Sequence, residues 1–230
     1  MAFIKHLPCP NCGSRDNLAE YVDHFYCFGC RHWKSKNDLA SIRNRLLPSA
    51  DEELDELTVH VTQDIPSKAM EWLLQYGLTS QDVKAYNFGW SNQLQTLMLI
   101  NTPDYYQGRN FSDVGAKYIS RGKKPLQFYG LGDTLVCVED IISAVKVSKS
   151  NSNYISVPLL GSSMPLKLTE TILERFKKVF LWLDRDKATE AVKMARNLKQ
   201  KNIDARVVIT DKDPKEYNLQ DINFIIEGKL

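Results

Sequence analysis

From residue 134 onward, short apolar runs alternate with amphipathic stretches. TLVCV (134–138), YISVPLLG (154–161), KVFLWL (178–183) and ARVVIT (205–210) are strand-length runs. Residues 140–149, 165–176 and 187–201 lie between them with helical spacing of their apolar positions. Apolar strands separated by amphipathic helices predict an α/β unit, a mostly parallel sheet with helices on both faces. Upstream the pattern differs. Residues 66–86 begin with Pro66-Ser67 and place Ala69, Trp72 and Leu73 at helical spacing; Gly77 ends that helix, and Thr79-Ser80-Gln81-Asp82 starts another. Residues 94–130 read as β-rich, LQTLMLI, YYQGRNF, AKYISRG and LQFYG, punctuated as turns by glycines 108, 115, 122 and 130. A short helix is expected over 37–46, with Asn37 or Asp38 near its N-cap, followed by a solvated linker through Leu47-Pro48-Ser49-Ala50 and the acidic run DEELDE. The expected layout is four parts: 1–36, a cysteine-rich module; 37–60, helix and linker; 61–132, an α+β subdomain; 133–230, the α/β unit.

Composition alters this picture little. Apolar residues make up 43% and charged residues 25% of the 230, ordinary for a globular protein. No window approaches 18 uncharged apolar residues, and the N-terminus MAFIKHLPCPNC has no secretory pattern, so a cytoplasmic location with no membrane partner is expected. The net charge is only +2, and its distribution says more than its size. Arg109, Lys117, Arg121, Lys123 and Lys124 face a single acid, Asp113, across 109–124, interleaved with Tyr105, Tyr106, Phe111, Tyr118, Phe128 and Tyr129. Cations and rings so arranged suit phosphates and bases; half-buried antiparallel strands alternate in the same way for structural reasons alone.

Four of the five cysteines form two C-x2-C pairs, Cys9-Pro-Asn-Cys12 and Cys27-Phe-Gly-Cys30. This spacing fits a structural zinc ion held by four thiolates, each pair a knuckle, with Gly13 and Gly29 supplying backbone freedom and 18–27 a hairpin between them. Disulfides and free thiols are the competing readings, the first disfavoured without a secretion signal. Cys137, inside LVCV, reads as core. Trp33 and Lys34, with Phe28, Arg31 and His32, could contact nucleic acid or pack the ribbon on the rest of the chain.

The ends of the four strands carry Glu139-Asp140, Gly161-Ser162-Ser163, Asp184-Arg185-Asp186 and Asp211-Lys212-Asp213. In a parallel sheet those ends share one edge, where ligands bind. Carboxylates from three strands suit Mg²⁺ or Mn²⁺; helix N-caps are the alternative.

The order of these features resembles the Toprim domain of bacterial and phage DNA primases, topoisomerases and some nucleases. VCVEDIISAV is similar to the Toprim glutamate motif, LWLDRDKA to its D-x-D motif, and TDKDPKEY to the primase K-D-P-x-E-[FY] segment. YYQGRNFSDVGAKYISRG followed by LQFYG resembles the primase basic motif, and the four-cysteine ribbon stands where phage-type primases carry theirs. One departure is Asp140, where the family usually has glycine. The resemblance implies a zinc ribbon, a basic subdomain and a Toprim core that makes RNA primers on single-stranded DNA from ribonucleoside triphosphates by two-metal nucleotidyl transfer. Glu139, Asp184 and Asp186 would hold the catalytic metals, Asp213 being a further ligand, with Arg109 and Lys117 on the triphosphate or template, Lys123 and Lys124 in the same role, and the ribbon assisting template recognition. No P-loop occurs in the sequence, so a replicative helicase is expected as a partner in trans. Toprim-type DNA cleavage and a non-catalytic recombination mediator are the alternatives.

Overall fold

The structure, a computed structural model, describes residues 3–35, 59–161 and 163–229. The helix expected over 37–46 and the linker after it lie outside the described residues. The rest falls into two compact units, divided between residues 55 and 56.

The first unit is an antiparallel meander of four strands in sequential order: β1 (Phe3–Leu7), β2 (Leu18–Tyr21), β3 (His24–Cys27) and β4 (Trp33–Ser35). The hairpin read from 18–27 is β2–β3, with Leu18 opposite Cys27. Its core is small, Cys9, Leu18 and Cys27 with Leu7, Phe25 and Cys30 packed against them. So little apolar burial makes the thiols the natural centre of the module.

The second unit opens with α1 (Ser67–Gln75) and α2 (Ser80–Ala85). Thr79 and Asp82 form a capping box at the start of α2, satisfying backbone donors that a helix leaves open. An antiparallel sheet follows: β5 (Gly89–Ser91), β6 (Thr96–Thr102), β7 (Tyr105–Asn110) and β8 (Tyr118–Gly122). LQFYG is not a strand of that sheet; only Tyr129 pairs, in one antiparallel bridge to Ser156. Gly108 is not a turn residue either. It sits inside β7, where an added Cβ would stand 2.4 Å from Thr96 Cγ2 and 2.6 Å from the Leu97 carbonyl oxygen. Glycine is there because β6 and β7 approach closely beside a bulge between Met98 and Ile100.

The remainder is the expected parallel unit: β9 (Thr134–Val138), α3 (Ile141–Ser150), β10 (Tyr154–Pro158), α4 (Leu166–Arg175), β11 (Lys178–Trp182), α5 (Ala188–Lys199), β12 (Asp204–Val207) and α6 (Leu219–Glu227). The strand order is β10-β9-β11-β12 and every pairing is parallel. β12 is shorter than its apolar run, ending at Val207, and a 3-10 turn over Arg185–Lys187 precedes α5.

Side-chain alternation along the central strands splits the core in two. Val136, Val138, Phe180 and Trp182 pack with α3, α6, α1 and the antiparallel sheet. Leu135, Cys137, Val179 and Leu181 pack on the other face with α4 and α5. Both faces are covered, which is why these strands are apolar at every position after their first, Thr134 and Lys178. Lys149 of α3 forms an ion pair with Asp82 and so ties α2 to the parallel unit. No helix among the described residues is long and apolar enough to cross a membrane.

Candidate active site

The four sulfurs of Cys9, Cys12, Cys27 and Cys30 all lie within 4.8 Å of one another. Cys9 Sγ is 3.7 Å from Cys30 Sγ, and Cys12 Sγ is 3.7 Å from Cys27 Sγ. A tetrahedral zinc with Zn–S near 2.3 Å has sulfur–sulfur edges of about 3.8 Å, so the cluster has the dimensions of a zinc site, and all four cysteines are free of disulfides. The Asn11 amide donates to Cys30 Sγ at 3.5 Å; with a backbone contact at His32 it lowers that thiol's pKa to about 6. The two knuckles close alike, Gly13 N–H donating to the Cys9 carbonyl at 2.9 Å and Arg31 N–H to the Cys27 carbonyl at 2.8 Å. The left-handed residue is Gly13 in the first and Arg31, φ 60°, in the second, so Gly29 does not serve the role expected of it. Trp33 and Lys34 are exposed on this unit.

In the second unit the parallel pairing brings the acids to one edge. Val138 lies opposite Trp182, so Glu139 and Asp184 leave neighbouring central strands nearly side by side. Burial, and then the charges of Glu139 and Asp213, push the Asp184 pKa up to about 7, and Asp213 also hydrogen-bonds to it. Glu139 is raised too, by burial and next by Asp186, and its buried Oε2 has no hydrogen-bond partner. Asp186 is exposed and pairs with Lys187 at 2.9 Å. These acids gather more loosely than the thiols: among the described residues, only the cysteine quartet brings three or more ligand atoms within 4.8 Å. An orphaned buried oxygen among carboxylates whose charges raise the pKa of Glu139 and of Asp184 is a donor set short of positive charge, and hard divalent cations fit it.

Asp140, where the sequence departs from its resemblance, caps α3: Ser143 N–H donates to Oδ1 at 3.0 Å and Ser143 Oγ to Oδ2 at 2.8 Å. It also meets Lys215, whose ammonium lies 3.0 Å from Asp140 and 2.7 Å from Asp213. Those carboxylates raise the Lys215 pKa against the opposing effect of burial.

The antiparallel sheet supplies a cation to this neighbourhood. Arg109 Cζ stands 5.4 Å from the ring centre of Tyr118, 5.7 Å from Trp72 and 5.9 Å from Phe111, and its buried Nε has no partner. Tyr118 connects it to the acids: burial raises the phenol's pKa, Asp140 adds to that, and Lys215 and Arg109 oppose it. Lys117 is exposed; its carbonyl, rather than its ammonium, meets Arg109 Nη1 at 3.5 Å. Lys123 and Lys124 line a separate cleft of about 480 Å³ with Lys167, and Lys124 donates to the Leu160 carbonyl just beyond β10.

No protein-family model and no curated protein matches this sequence. Solved structures do match. The zinc-binding and RNA polymerase domains of the Aquifex aeolicus primase align with 99% of this chain and 80% of theirs, at TM-score 0.58 and 13% identity. A DnaG primase catalytic domain bound to single-stranded DNA aligns over 70% of this chain and 71% of its own, at 0.56 and 17%. This is the fold of a DnaG-type primase core. The E. coli primase catalytic core shares it over 65% of this chain and 68% of its own, at TM-score 0.52 and 17% identity.

Within the primase fold, sequence reading named the acids and Arg109 and missed what holds them. Lys215 lay in view in KDPKEY, but only the fold shows that it turns back to Asp140, 75 residues away. Lys146, inside the helix read over 140–149, is buried and donates to the carbonyl oxygens of Lys215, at 2.9 Å, and Tyr217. Trp72 stands at helical spacing in the sequence, with no sign there of its place beside Arg109.

Proposed function

We propose that this chain is a DNA primase that synthesises short RNA primers on single-stranded DNA. The observation that carries the reading is the cluster of Glu139, Asp184 and Asp213 at the carboxyl edge of a parallel sheet, with Glu139 and Asp184 raised in pKa by burial and by the carboxylates beside them, in a chain with the primase fold. The single-stranded DNA bound to one such catalytic domain supports the choice of template.

Glu139, Asp184 and Asp186 would hold divalent metal, with Asp213 behind them. Bound there, Mg²⁺ or Mn²⁺ supplies positive charge to the attacking 3′-hydroxyl and to the leaving pyrophosphate. Arg109, stiffened between three rings, presents its guanidinium to triphosphate or template phosphates without a large ordering cost. Lys117, Lys123 and Lys124 are exposed cations for the polynucleotide backbone. The zinc-loaded ribbon, with Trp33 and Lys34, assists template recognition.

The test is primer synthesis with the purified chain, single-stranded DNA of varied sequence, labelled ribonucleotides and Mg²⁺, beside Asp184→Ala. Template-dependent RNA lost in the variant supports the reading. Nicked DNA without RNA moves the claim to a Toprim-type nuclease, and binding without either product to a mediator.

A further inference from the structure

Lys215 differs from the other cations of the acidic edge. Lys187 pairs with Asp186 at the surface, with side-chain exposures of 34% and 70%. The Lys215 side chain is 17% exposed and reaches two carboxylates on different elements, Asp140 Oδ2 at 3.0 Å and Asp213 Oδ2 at 2.7 Å. Its backbone is held as well, because buried Lys146 donates to its carbonyl at 2.9 Å. Asp140 is fixed by capping α3 through Ser143, and Asp213 by a capping box with Glu216, whose carboxylate accepts from Asp213 N–H at 3.1 Å. Every group around the ammonium is positioned by something other than the ammonium.

We propose that Lys215 is a positioning residue that serves as a built-in cation, occupying the place between Asp140 and Asp213 that a divalent ion would otherwise take. The inference rests on the metal-dependent reading above and deepens it. A divalent ion binding oxygens at about 2.1–2.5 Å needs the same Oδ2 atoms that face the ammonium. To reach them it must expel a side chain whose main chain is pinned from the opposite side. The edge therefore offers the free protein one divalent site, on Glu139, Asp184 and Asp186, and any second ion arrives with the nucleoside triphosphate.

The measurement is Mn²⁺ stoichiometry by equilibrium dialysis and electron paramagnetic resonance on the full zinc-loaded chain without nucleotide. Wild type and Lys215→Arg are expected to bind the same number of ions, and Lys215→Ala one more. Adding Asp140→Asn to Lys215→Ala, which keeps a helix-capping oxygen, is expected to remove the extra ion. Equal binding by wild type and Lys215→Ala, or an extra ion that persists in the double variant, overturns the proposal. Should Lys215→Ala fail to fold by circular dichroism, Lys215→Gln carries the same comparison. Because the readout needs no RNA synthesis, a wild type that makes no primers counts against the primase reading and leaves this one standing.

Discussion

The ammonium of Lys146, buried in the middle of α3, donates to the carbonyl oxygen of Lys215 at 2.9 Å. With the Tyr217 carbonyl as second acceptor, a cation is satisfied inside the protein by main-chain dipoles, no carboxylate of the described residues being among its hydrogen-bond partners. Lys146→Met keeps the apolar stem and removes the donor, leaving two carbonyls short of a partner. The expected cost is about 2 kcal/mol, read as a lower urea midpoint with unchanged slope. Primer synthesis should fall further than stability explains, because the segment bearing Asp213 and Lys215 loses its anchor.

The raised pKa values at the acidic edge give a pH dependence of definite sign. Asp184 titrates near 7 in the folded chain because of burial, Glu139 and Asp213, against about 3.9 unfolded. Its contribution is complete below pH 4 and is lost as pH rises through 7, because the folded state must then surrender a proton it prefers to keep. In a chelator that spares the zinc, the thermal midpoint of wild type should therefore fall as pH rises from about 4 to about 7. Asp184→Asn should flatten that slope and raise the midpoint at pH 8 by about 2–4 °C. Saturating Mg²⁺ should raise the wild-type midpoint at pH 8 and leave the variant's nearly unmoved.

Gly108→Ala would force a methyl group to within 2.4 Å of Thr96 Cγ2 and 2.6 Å of the Leu97 carbonyl oxygen. One neighbour is backbone, so the strands must separate, at an expected cost of about 1–3 kcal/mol. Thr96→Ser in the same chain should recover only part of this, because the carbonyl remains. Affinity for single-stranded DNA, measured by fluorescence anisotropy, should drop as well, since the next residue is Arg109.

A four-strand unit with so small a core is expected to need a bound metal for order. With Cys9, Leu18 and Cys27 as its buried core, it has little else to hold four strands together. Elemental analysis should find one zinc per chain. Stripping it should abolish amide-exchange protection in residues 3–35 and leave that of β9 and β11 intact. Cys30→Ser should lose the metal outright, whereas Arg31→Gly, which relieves a left-handed backbone, should keep it and bind slightly tighter.

The parallel unit was legible in the sequence because its signal is local. TLVCV and KVFLWL are apolar at every position after the first, and burial on both faces explains that. The acids at their ends followed from topology, since parallel strands place like ends together. LQFYG misled because its aromatic residues pack into a core without a ladder: Tyr129 is buried, yet it pairs only with Ser156. Gly108 misled because a glycine demanded by a close strand approach looks, along the chain, like one demanded by a turn. The Arg109 cage and the Lys215 bridge were illegible for a simpler reason: their partners lie on other elements, and no local pattern encodes a contact between residues 140 and 215.

The distance along the chain from Lys146 to its acceptors, 69 and 71 residues, also sets a schedule for synthesis on the ribosome. At about 5–20 residues per second, the partners of this lysine follow it by roughly 4–14 s. During that interval the Lys146 ammonium lacks both of its carbonyl acceptors, an obstacle to burying it. Emergence of residues 215–217 removes that obstacle and delivers Asp213 and Lys215 in the same movement. The acceptors that hold α3 and the last groups of the acidic edge thus leave the ribosome together.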